Sequence, residues 1–197
     1  MYRRRRVQGS PIDAGACPAL HRAHGRPCGE CEPTDRTTRT MTESLVISVS
    51  AEQIRTLDMT PLHDLRQRSA AALLELDDAV ALQLDWPRAD DDPRELSEVP
   101  ECRLWSLRAD ALCPWLTLLL HRSDGQLSRH VAMQVLHEFS RNEGLRFDPD
   151  DLSLWISHRL FWLDDWGTQQ GLSLRGRLGQ MAAVLGFNVE VGFWPQA

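Results

Sequence analysis

The stretch FDPDDLSLWISHRLFWLDDW, residues 147–166, constrains this chain more than any other. Asp148 followed by Pro149 is a helix start. A carboxylate there accepts from first-turn N–H groups, and proline loses nothing where its missing N–H would have had no partner. Asp150 and Asp151 then sit at the positive end of the helix dipole. On a 3.6-residue period Leu152, Ile156, Leu160 and Leu163 form one stripe, the ordinary core-facing side. Leu154 and Phe161 make a second apolar row, and Trp155 and Trp162 a third.

A helix apolar nearly all round is either sheathed centrally by its own domain or covers a partner surface. Both readings stand at this point. Tryptophan beside arginine is what interface hot spots favour, so Trp155, Arg159, Phe161 and Trp162 are the candidate partner-binding residues. His158, between the rows, reads as a satisfied buried histidine.

The remaining elements are placed around that helix. Leu45, Ile47 and Val49 alternate as a strand, and Ser50 with Gln53 forms a capping box for a short helix to Leu57. Thr60 caps a second helix with Pro61 at its first position, running to about residue 78. Residues 79–86 either extend that helix or form a strand. Residues 87–100 are acidic and proline-bounded, which predicts a solvated loop, with Asp90, Asp91 and Asp92 as solvated charge. A strand is expected over 102–108, a helix over 110–121, and an amphipathic helix over 126–142 closed by Gly144. On that last helix His130 and His137 share the polar face beside Glu138. Two turns separate them, about 10 Å of rise, too far to chelate one ion unaided.

A final helix over 172–185 buries Leu174, Leu178, Met181 and Leu185. Its Gly176, Gly179 and Ala183 stripe invites close approach of another backbone, because interior glycines cost about 1 kcal/mol each. Residues 187–193 alternate as a last strand, expected to pair with 45–49. The fold class expected is α+β, a helix-dominated single domain over 41–197 whose small sheet joins N- and C-terminal strands.

Charge separates the first forty residues from the rest. Residues 1–40 hold eight arginines against four acids, or +4, and residues 41–197 fourteen against twenty-four, or −10. Residues 1–40 nearly lack bulky apolar side chains, so they read as a disordered leader or as sequence upstream of a true start at Met41. Cys17, His21, His24, Cys28 and Cys31 offer tetrahedral zinc spacing. They lack the aromatics that form a finger's miniature core, so no metal or other cofactor is expected. Every basic residue is arginine, with no lysine, which points to a GC-rich bacterial genome. The arginines at 3–6 precede no apolar run of signal-peptide length, and no stretch is long enough to span a bilayer. Cys102 and Cys113 read as small buried hydrophobes, and the expected compartment is cytoplasmic.

Function is weighed across three classes. The leading expectation is a protein-interaction or small regulatory adaptor domain, with a protein partner or self-association as an oligomer. A helix-turn-helix DNA-binding regulator ranks lower, since an acidic body repels phosphate and Asp150 and Asp151 would meet it. An enzyme without a recognisable motif stays open: there is no P-loop, dinucleotide fingerprint, G-x-S-x-G or H-E-x-x-H.

Overall fold

Ser50 turns the first strand into the first helix. Its hydroxyl accepts from Gln53 N–H while the Gln53 side chain reaches back to Ser50 N–H at 2.9 Å. The structure, a computed structural model, describes residues 44–140 and 142–195. Strand β1 is Leu45–Ser50 and helix α1 is Ala51–Thr56, closed by Leu57 in the left-handed region at φ 54°.

The long helix expected from Thr60 to about 78 is instead three short pieces. A 3₁₀ turn, Thr60–Leu62, leads into α2, His63–Arg66, and Ser69 caps a separate α3, Ala70–Leu74. Thr60 is itself held by Asp58, whose carboxylate accepts from both its N–H and its hydroxyl. Residues 79–86, left open between helix and strand, hold strand β2, Val80–Asp85. It pairs in parallel with β1, Leu45 opposite Val80 through Ser50 opposite Asp85. The β1 partner expected at 187–193 therefore does not exist. Those residues carry no strand, only a 3₁₀ turn at Val191–Phe193.

The acidic segment is a loop closed by a 3₁₀ turn, Leu96–Glu98. The strand expected over 102–108 is helical, part of α4, Pro100–Leu112. Pro100 occupies its first position, and Cys102, Trp105, Ser106, Ala109 and Asp110 are buried at helical spacing. Trp105 is fully buried, with its indole N–H donating to Asp58 O at 2.9 Å. The helix expected over 110–121 is broken at Cys113 and Pro114, leaving a short α5, Leu116–Leu119.

Helix α6, Gln126–Ala132, ends ten residues before the expected boundary. The rest of that stretch becomes an antiparallel hairpin of β3, His137–Ser140, and β4, Gly144–Phe147. Gly144, read as a helix end, has φ 77° in the hairpin turn instead. Backbone pairing of His137–Ser140 with Gly144–Phe147 outweighs the helical pattern there.

Helix α7 is Pro149–Gln169, capped by Asp148, which accepts from Asp150 and Asp151 N–H. It ends at Gln169, ahead of a turn at Gln170 and Gly171. Helix α8 is Arg175–Val184. The core joins Ile47 and Val49 of β1 to Leu116, Leu118 and Leu119 of α5 and Leu127 and Val131 of α6. Ile156, Leu160 and Leu163 of α7 meet Leu178 and Met181 of α8 in the same cluster. The helix-dominated α+β class holds, with two separate two-stranded sheets.

Candidate functional site

Helix α7 presents two sides of different chemistry. The inner side buries Ile156, Leu160 and Leu163 completely, as its leucine stripe requires. The outer side leaves large apolar groups in solvent: Leu154 is 72% exposed, Phe161 43% and Trp162 38%. Leu136, from the segment between α6 and β3, is 62% exposed. Leu136, Leu154, Trp155 and His158 line one shallow groove with Asp151 at its rim. Phe161 is partly covered by Phe193, with ring centroids 4.8 Å apart and planes 9° from parallel.

The four candidate residues do not all share that outer face. Phe161 and Trp162 lie on it, and Trp155 lies at its edge, half-buried. Its indole N–H donates to Gln134 Oε1 at 2.9 Å. Arg159 is a correction, because it points inward and is 7% exposed. Its guanidinium pairs with Asp110, donates to Pro114 O at 3.2 Å and lies 5.1 Å over the Trp155 ring. Two histidines trade their expected places. His158, read as buried, is exposed, while His130, read as solvated, is 4% exposed.

His130, Asp110, Arg159, Gln134 and Trp155 make a buried polar network that sequence reasoning missed. Burial raises the Asp110 pKa, but hydrogen bonds and charge from His130 and Arg159 more than offset that and hold the carboxyl below its usual range. An ionised carboxylate only accepts, so His130 Nε2 donates to Asp110 Oδ1, at 3.2 Å. The Gln134 amide nitrogen lies 3.1 Å from the same ring nitrogen. The one available signal was the helical burial period of α4, which puts Asp110 four residues after Ser106 on the inner side.

The glycines of α8 face open space, with nothing within 4 Å of a Cβ built at Gly176 or Gly179, so no backbone approaches there. Close approach occurs at Gly167 of α7, where a Cβ would stand 2.6 Å from Leu174. The segment before α7 is a hairpin, and the two arginines of α8 are paired. Arg175 holds Asp164 at 3.0 Å, and Arg177 holds Asp77 at 3.0 Å. His137 turns to Ser97 and to Val135 O, away from His130. Among the described residues no group of three or more His, Cys, Asp or Glu side chains is placed to hold a metal ion. Cys17, His21, His24, Cys28 and Cys31 lie outside the described residues. Among those described, no helix is long and apolar enough to cross a membrane.

The fold defines a helix-dominated α+β domain, and one side of its longest described helix leaves large apolar groups in solvent. The chain belongs to the Crr6 family, Chlororespiratory reduction 6, whose family model matches residues 49–196. The family is of a regulatory or assembly type and is involved in complex assembly. No solved structure matches the chain. The family is of chloroplast and cyanobacterial type, which corrects the expected GC-rich bacterial source, and arginine use alone was too indirect to identify one. The expected oligomer is withdrawn as well, since the family match carries no self-association.

Proposed function

We propose that this domain serves as an assembly factor that docks a client protein on the outer side of α7. The observation that carries the reading is the side-by-side exposure of Leu154, Phe161 and Trp162 on a helix whose opposite side is fully buried. Water contact at such groups costs roughly 25 cal/mol per Å², which a complementary apolar surface recovers. Trp162 and Phe161 supply the rigid contact area that anchors interfaces at low entropic cost. Arg159 and Trp155 support this side from within: the ion pair to Asp110 and the bond to Gln134 fix the face of α7 that is presented.

Leu154→Asp and Trp162→Asp test the reading, each introduced into a strain of the source organism that lacks the protein. Both positions are exposed, so each variant melts within about 1 kcal/mol of the parent. The expected result is normal accumulation of a folded variant that fails to restore the missing function. Full restoration by both variants would overturn the docking face.

A further inference from the structure

We propose that the cavity bounded by β2, α4, α6 and the 3₁₀ turn at Leu96–Glu98 binds a small organic carboxylate with an apolar body. The cavity holds about 280 Å³ and shares no lining residue with the outer face of α7. Leu82 and Leu84 from β2, Leu96 from the turn and Met133 from the end of α6 supply its apolar wall. That volume and wall suit the hydrocarbon part of a small ligand, not a protein surface.

Two of its three formally charged lining residues are basic. Arg88 and Arg129 line it, in a body whose net charge is −10. Arg129 is exposed, and Arg88 donates to Asp92 O at 3.2 Å. The one acidic lining residue, Glu95, is already committed: its carboxylate accepts from Leu96 N–H at 2.8 Å. His130 also lines the cavity, with its side chain 2% exposed. Its Nε2 is turned to Asp110 and Gln134, while its Nδ1 is buried with no hydrogen-bond partner. A buried polar nitrogen without a partner costs about 1–3 kcal/mol, and such a group is expected to meet something. Two guanidinium groups beside a leucine and methionine wall select a ligand with one anionic group and one apolar part.

Titration of the full-length, isotope-labelled chain with octanoate, followed by NMR, tests this. Acetate carries the charge without the chain, and octyltrimethylammonium carries the chain with the opposite charge. Octanoate is expected to saturate, shifting the amides of Leu84 and Leu96 and the ring nitrogens of His130, with both comparators far weaker. Arg129→Gln, on an exposed side chain, should weaken octanoate about tenfold, the scale of one charge-assisted contact. Leu84→Trp, which fills the cavity, should abolish the shifts in a chain that still melts cooperatively. Equal binding of octanoate and octyltrimethylammonium would overturn the anion selectivity. Octanoate binding that survives Leu84→Trp unchanged, or no binding by the parent chain, would overturn the site.

Discussion

Arg159 of α7 and Asp110 of α4, 49 residues apart in sequence, form an ion pair in the interior, with side chains 8% and 10% exposed. The pair fastens the inner side of α7 to the C-terminal turn of α4, and Trp155 stacks over the guanidinium from the same helix. Removing one partner strands the other as a buried charge. Asp110→Asn should therefore cost about 3–5 kcal/mol at neutral pH, read by denaturant unfolding.

The same pair predicts a pH dependence. The Asp110 pKa is lower in the folded chain than the ordinary 3.8. A depressed carboxyl contributes stability that is present above the unfolded pKa and lost as pH falls through the folded one. The stability gap between parent and Asp110→Asn should stay constant from pH 7 to about 5, then narrow below pH 4. A gap that is flat down to pH 2 would show that Asp110 is not ionised in the fold.

Two glycine substitutions should move stability in opposite directions. Alanine at Gly179, inside α8 with open space around it, should stabilise by about 0.5–1 kcal/mol through helix propensity. Alanine at Gly167 would place a methyl 2.6 Å from Leu174 Cδ1, a side chain 1% exposed, and 3.3 Å from Leu172 O. Overpacking of that kind costs about 1–3 kcal/mol, enough to cancel or exceed the propensity gain. Thermal melts of the two variants on one scale check both signs.

Cys102 and Cys113 are fully buried, and burial pushes both thiols up to about 11. The thiolate is the reactive form, so alkylation at pH 8 should leave both untouched in the native chain and modify both in denaturant. Peptide mapping by mass gives the answer for each position separately.

The elements legible in the sequence are those whose signals are local. Ser50 with Gln53, Asp148 with Pro149, and the Leu174–Leu178–Met181 stripe each announce a helix within a few residues, and each stands. The parallel pairing of β1 with β2 was not legible, because Leu45 and Val80 lie far apart in sequence and only the fold joins them. Alternation in Cys102–Arg108 mimicked a strand, while the deciding pattern was Cys102, Trp105, Ser106 and Ala109 at helical spacing. The apolar rows of α7 followed from its wheel, but which of them lie in solvent did not: Trp155 is half-buried while Leu154 is exposed. Which arginine or histidine turned inward did not: that was set by Asp110, a partner 20 residues from His130 and 49 from Arg159.

The most direct test of the docking face places a photo-reactive benzophenone side chain at Trp162 in the source organism, with Arg68 as an exposed control outside α7. Docking on α7 predicts a discrete crosslinked product of one mass from position 162, absent from position 68, and lost when Leu154→Asp is added. The same product from both positions, or none from position 162 in a folded and accumulating chain, would contradict it.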